Sequence, residues 1–202
     1  MNNYNKEEFL TLGILETIEG QSDVTQRHLA SSLGVALGLA NSYMKRCVRK
    51  GLIKIEQAPA NRYLYYLTPR GFAEKSRLTA EYLSTSFDFY RRASLSCTRV
   101  FQHCQSNNYQ SILLCGISEL AEIASLRAKE QNIKIVGILD RQGTCREYIG
   151  LPVYLSFEEA THFDACVLTS LSQTLDLMQM TKQFVPNDRI LFPDILALNK
   201  NQ

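Results

Sequence analysis

The stretch Val24-Thr-Gln-Arg-His-Leu-Ala-Ser-Ser-Leu-Gly-Val35 decides how this chain folds. Thr25 is of the residue type that caps a helix, its side-chain oxygen taking up an orphan amide of the first turn. From Gln26 to Leu33 the apolar positions Leu29, Ala30 and Leu33 recur at helical spacing, which gives a short helix one inward side. Ala30 is small enough to let a second helix approach. Gly34 supplies the tight turn, and Val35 plugs the core before the next helix. That third helix spans Ala36 to Lys50 and stops at Gly51. Arg49 and Lys50 fill its last turn, where the helix dipole favours cations.

Upstream, Phe9, Leu10, Leu12, Ile14, Leu15 and Ile18 set a first helix over Lys6–Ile18. Downstream, Leu52–Gln57 and Arg62–Leu67 read as two antiparallel strands joined by Ala58-Pro59-Ala60-Asn61. Three helices followed by a two-stranded hairpin is the order of a winged helix. Thr68-Pro69 then pairs an N-cap with proline at the first helical position. The helix it opens runs, with a break allowed, to about Cys104. Its apolar residues Phe72, Leu78, Tyr82, Leu83, Phe87 and Tyr90 suit a dimer seam or an intrachain core equally. Gln105–Asn108 marks a boundary.

Beyond it the pattern changes to strand–helix alternation. Strands are expected at Ser111–Cys115, Ile133–Leu139, Ala165–Leu168 and Arg189–Phe192, with helices at Glu119–Gln131 and Ser172–Phe184. Gly143–Gly150 reads as loop, and Ser156-Phe-Glu-Glu159 has the capping-box spacing that opens a short helix. The fold class expected is therefore an α+β winged helix-turn-helix domain followed by a Rossmann-like α/β domain with a small parallel sheet. The organisation expected is residues 1–68, a linker or dimerisation helix at 69–108, and the α/β domain at 109–202.

Charge points to a partner. Eight basic residues against two acidic ones give Asp23–Arg70 a local charge of +6 in a chain whose net charge is +2. A compact basic segment in a near-neutral chain suits a polyanion such as double-stranded DNA. The third helix places Ala40, Tyr43, Met44, Cys47 and Val48 inward, and Gly38, Asn41, Ser42, Lys45 and Arg49 outward. Gly38 lets the backbone come close, Asn41 and Ser42 can bond base edges, and Lys45, Arg46 and Arg49 can meet phosphates. Thr25 and Gln26 open the preceding helix, and Arg62 lies near the hairpin tip. These nine residues are the expected DNA contacts.

Leu29-Ala-x-x-Leu-Gly-Val35, Lys50-Gly-Leu-Ile53 and Tyr66-Leu-Thr-Pro-Arg-Gly71 together resemble MarR-type winged-helix regulators over about Glu7–Leu83. The resemblance implies a dimeric transcription regulator whose Gly38–Arg49 segment faces DNA. The chain departs from that family where an α/β domain follows the winged helix. There, Cys115-Gly-Ile-Ser-Glu-Leu-Ala-Glu122, Val136-Gly-Ile-Leu-Asp140 and Gly150-Leu-Pro-Val153 are similar to small Rossmann-like domains of sugar acyltransferases and redox-sensing repressors.

In that domain Gly116-Ile-Ser118-Glu-Leu-Ala121 keeps the first glycine and an accepted third position of the dinucleotide fingerprint, with Ser118 in the middle place. Asp140 stands where a ribose-binding acid would, and Glu119 beside the helix start would repel an anion. Gly116, Ser118, Glu119 and Asp140 are the candidate ligand residues. A nucleotide or nucleotide-sugar effector and a domain used only for packing both remain open.

His28, His103 and His162 accompany no credible nucleophile or metal set, so no catalytic residues and no enzyme are expected. None of the six cysteines forms a C-x-x-C pair, which suits buried thiols in a reducing compartment. No apolar run reaches the roughly 18 residues a membrane helix needs, and the first 20 residues do not read as a signal peptide. The expectation is a cytoplasmic DNA-binding homodimer with a small-molecule effector. The alternative is a nucleotide- or nucleotide-sugar-binding protein whose winged helix makes protein contacts.

Overall fold

A computed structural model describes residues 3–59, 62–143 and 145–196, with side chains from residue 6 onward. The chain divides into two compact units, Met1–Phe87 and Asp88–Gln202. The division falls inside one uninterrupted helix.

The first unit comprises α1 (Asn3–Gly20), α2 (Gln26–Ser32), α3 (Leu37–Arg49), β1 (Ile53–Ala58), β2 (Arg62–Leu67) and the start of α4 (Pro69–Ser106). The strands pair antiparallel, Ile53 opposite Leu67 and Ala58 opposite Arg62. The expected loop residues Ala60 and Asn61 lie outside the described residues. Thr25 caps α2, its Oγ1 accepting from the His28 amide at 3.1 Å. The core joins Leu12, Ile14, Leu15 and Ile18 of α1 to Leu29, Met44, Cys47, Leu52, Ile53, Tyr65 and Leu78. Phe9, one of the apolar residues that set the period of α1, is exposed.

The exit from α3 is fixed by its hydrogen bonds. The Gly51 amide donates to the Val48 carbonyl and the Leu52 amide to the Cys47 carbonyl, both at 2.9 Å, with Gly51 at φ +70°. This is the Schellman pattern, which only a residue tolerant of the left-handed region closes without strain. Thr68 then locks the hairpin to that exit. Its amide donates to the Leu52 carbonyl at 3.0 Å, and its hydroxyl donates to the Gly51 carbonyl at 2.6 Å while accepting from the Gly71 amide at 3.0 Å.

The second unit is a three-layer α/β structure. Its strands are β3 (Ser111–Cys115), β4 (Lys134–Leu139), β5 (Glu147–Tyr148), β6 (Leu151–Tyr154), β7 (Ala165–Leu168) and β8 (Ile190–Leu191). They lie in the order β5-β6-β4-β3-β7-β8 and are parallel except for the β5–β6 hairpin. Counting only the parallel strands in chain order, the arrangement is 3-2-1-4-5, that of a doubly wound sheet. One face packs Ile112, Leu114, Ile138 and Val167 against α5 (Glu119–Glu130) and the Ala93–Cys104 part of α4. The other packs Leu113, Cys115, Leu139 and Leu168 against α6 (Thr174–Thr181). Asp164 ties the starts of β3 and β7. Its carboxylate accepts from the Gln110 amide and from the amide and hydroxyl of Ser111, all at 2.8 Å, and these donors hold its pKa below the ordinary value.

Three expectations differ from the structure. Within the expected 143–150 loop, Glu147–Tyr148 is a strand paired with β6; Ile149 at φ +49° and Gly150 at φ +76° form the two-residue turn. The capping-box segment opens no helix. The Leu155 amide does donate to the Glu159 carboxylate at 3.1 Å, but Phe157 and Phe163 both pack into the core, their rings 6.2 Å apart. Residues six apart on a helix diverge by about 120°, so a helix would pull these rings apart. The helix expected over Ser172–Phe184 is shorter. The Ser170 hydroxyl holds the Gln173 amide before it, and i→i−3 bonds at Gln183 and Phe184 tighten its end ahead of Pro186. The cysteines at 47, 97, 104, 115 and 166 are buried, and burial pushes Cys97 and Cys104 up to about 12.

Gly71 has no room for a side chain, because a Cβ there would stand 2.1 Å from the Leu52 carbonyl oxygen. Gly71→Ala should destabilise the first unit by about 2–3 kcal/mol, read by thermal unfolding. Gly20→Ala, with open space around its Cβ, should leave the melting temperature unchanged or raise it. Equal melting for both variants would show that this packing does not govern stability.

Candidate nucleic-acid interface and ligand cavity

The outward side of α3 follows from its buried one. Ala40, Met44 and Cys47 pack inward; Gly38, Ser42, Lys45 and Arg49, which lie on the opposite side, are exposed. Thr25, Gln26 and Arg62 are exposed as well. The Thr25 hydroxyl is occupied in capping α2, where it accepts from the His28 amide.

Two expected contacts depart from the open face. Asn41 sits at its edge, half-buried, and its Oδ1 is buried without a hydrogen-bond partner among the described residues. Arg46 is turned to α1, pairing with Glu7 at 2.7 Å; Lys50 reaches the same carboxylate at 3.6 Å. Glu7 thus draws two cations to one flank of α3. Lys45 and Arg49 have no salt bridge among the described residues.

Sequence reasoning missed Leu37 and Leu39, which bracket Gly38 and are 46% and 36% exposed. The available signal was that Ala40, Met44 and Cys47 already suffice to bury α3. Exposed leucines at the start of such a helix can touch the C5-methyl of thymine, the apolar mark in the major groove.

In the second unit a cavity of about 340 Å³ opens at the carboxyl ends of β3, β4 and β7. Gly116 and Ile117 form one wall and Asp140, Arg141 and Gln142 another. Ser170, Ser172, Gln173 and Asp176 close the third, over Leu139, Leu177 and Met180. This is the switch point between β3 and β7, where the connections leave in opposite directions and doubly wound sheets bind ligands. Of the four expected ligand residues, the structure brings Gly116 and Asp140 to this cavity; Ser118 and Glu119 are not in its lining. The residues after β7 were missed, since strand order is not readable from local pattern.

Ser118 has structural work instead. It caps α5, its hydroxyl accepting from the Leu120 amide at 3.1 Å and donating to the Thr169 carbonyl at 2.5 Å. Gly116, at φ +103°, is crowded by protein. A Cβ there would stand 2.6 Å from Ser170 Cβ and 2.8 Å from its amide nitrogen.

The family model described as winged helix-turn-helix DNA-binding matches residues 10–54. The first unit is a winged helix-turn-helix DNA-binding domain, and an α/β unit with a mostly parallel sheet follows it. Among solved structures, MepR, a transcription regulator of the Staphylococcus aureus multidrug efflux pump MepA, is 22% identical with a TM-score of 0.35, over 41% of this chain and 61% of that one. Human N-acetylserotonin methyltransferase in complex with SAM is 13% identical with a TM-score of 0.32, over 82% of this chain and 66% of that one. The chain thus spans less than two thirds of either protein. No curated protein matches it.

Ser118→Ala should cost about 1 kcal/mol of stability by removing the α5 cap. Differential scanning calorimetry checks this, and an unshifted melting transition would mean that the hydroxyl is not a structural group.

Proposed function

We propose that this protein is a cytoplasmic, homodimeric transcription regulator that binds double-stranded DNA through α3 and takes a small-molecule effector in its α/β unit. In this reading residues 1–68 bind DNA, 69–108 form the linker and dimerisation helix, and 109–202 hold the effector. The observation that carries it is the exposed α3 face, where Gly38 and Ser42 lie beside Lys45 and Arg49. A side-chain-free position allows close approach to base edges, and cations further along the helix meet the phosphates that flank the groove. Exposed Phe72, Tyr82, Leu83 and Phe87 on α4 supply apolar surface for the dimer. Among the described residues no helix is long and apolar enough to cross a membrane.

Binding to duplex DNA should weaken as salt rises, because each neutralised phosphate releases counterions. Lys45→Ala and Arg49→Ala should each lower the slope of log affinity against log salt by about one. Fluorescence anisotropy across a salt series reads this. If both variants bind as the parent does, α3 does not face the duplex.

The leucines carry a second expectation. A duplex with uracil in place of every thymine lacks the C5-methyl and should bind several-fold more weakly. Leu39→Ala should erase that preference while keeping the salt slope. Equal affinity for both duplexes in the parent protein removes Leu37 and Leu39 from the interface.

A further inference from the structure

The cavity of the α/β unit offers a ligand charge of both signs. Asp176 lies in the first turn of α6, and Arg141 follows β4; both line the space. Asp176, Leu177 and Met180 reach it from one face of α6. Residues four apart on a helix are neighbours, their Cβ atoms about 5–6 Å apart, so Met180 stands one turn on from Asp176. The Arg141 guanidinium is seated at that methionine, its Nη1 3.2 Å from Met180 Sδ. The same helix face thus presents the anion and, one turn on, the residue that holds the cation. The two charges do not pair with each other. Among the described residues neither Asp176 nor Arg141 enters a salt bridge.

Both groups keep bonding capacity. A guanidinium has five N–H donors, and a thioether is a weak acceptor that takes up little of it. Asp140, the other carboxylate of the lining, is already engaged within the protein. Asp176 is therefore the carboxylate placed to meet a cationic group. Leu139, Leu177 and Met180 form an apolar floor beside the two charges. A ligand of one charge gains from one of these groups and is repelled by the other: a cation meets Arg141, an anion meets Asp176. A zwitterion meets each with the complementary sign. At about 340 Å³ the space lies near the lower end of the roughly 300–1,000 Å³ range of small-molecule sites, which suits a small ligand.

We propose that the cavity binds a free amino acid with an apolar side chain. Arg141 takes its carboxylate, Asp176 takes its ammonium group, and the floor of Leu139, Leu177 and Met180 receives its side chain. This rests on the reading of the α/β unit as an effector domain, and it gives that effector a chemical class.

The test is isothermal titration of the full chain with leucine and phenylalanine, each beside the two analogues that keep only one of its charges. These are isocaproate and isoamylamine for leucine, and hydrocinnamate and phenethylamine for phenylalanine. Glycine, adenosine, NAD and UDP-glucose complete the panel. Leucine or phenylalanine should bind. Its single-charge analogues should bind at least about tenfold more weakly, since each leaves one charged group without a partner. Glycine should bind at least about tenfold more weakly as well, because it leaves the floor uncovered. Asp176→Asn should weaken the amino acid at least about tenfold and leave the carboxylate analogue unweakened. Arg141→Gln should weaken the amino acid likewise and leave the amine analogue unweakened. Thermal unfolding confirms that both variants are folded. If glycine or a single-charge analogue matches the amino acid, or if either variant keeps the parent affinity, the assignment falls. If adenosine, NAD or UDP-glucose binds and neither amino acid does, the assignment falls while the effector domain stands. If nothing in the panel binds, both fall.

Discussion

The hydroxyl of Thr68 is the contact on which the DNA-binding unit turns. It donates to the carbonyl of Gly51 and accepts the amide of Gly71, so one side chain joins the exit of α3, the hairpin and the start of α4. Each partner depends on a local requirement. Gly51 must be left-handed to end α3 after Arg49, and Gly71 must lack a Cβ to lie against the Leu52 carbonyl. The outward direction of Lys45 and Arg49 follows, because a helix held at its exit and packed through Ala40, Met44 and Cys47 has no rotational freedom left.

The α/β unit has an analogous tie on its other side of the chain. Thr169 is fully buried, its hydroxyl bonding the carbonyls of Cys115 and Gly116 at 3.1 and 2.6 Å, while Ser118 bonds the Thr169 carbonyl. A buried polar group with every partner present rigidifies its surroundings. These bonds hold the ends of β3 and β7 together at the switch point, which is why the residues of a phosphate fingerprint are here engaged in strand-to-strand packing.

The elements most legible in the sequence were those set by local physics. The Thr25 cap, the Gly34 and Gly51 stops, the hairpin strands and the buried run Ser111–Cys115 each follow from a few neighbouring residues. What was not legible depends on distant partners. Ile149 in the β5–β6 turn gives no turn signal, since a β-branched residue is disfavoured at positive φ. The Ser156–Glu159 box met its sequence rule, but the core claimed both Phe157 and Phe163. Arg46 belonged to the cationic set by type, yet Glu7 on α1 drew it aside. The far wall of the cavity, Ser170 to Asp176, required knowing that β7 lies next to β3.

Charge is distributed in a way that makes these two units compatible in one chain. The Asp23–Arg70 segment holds a surplus of +6, which leaves the rest of the chain negative. A duplex is drawn to the former by long-range attraction, which falls off over about 10 Å at 0.1 M salt. The same phosphates are repelled by Glu119 and Glu122 at the start of α5 and by Asp140 and Asp176 in the cavity. The two candidate sites thus carry charge of opposite sign.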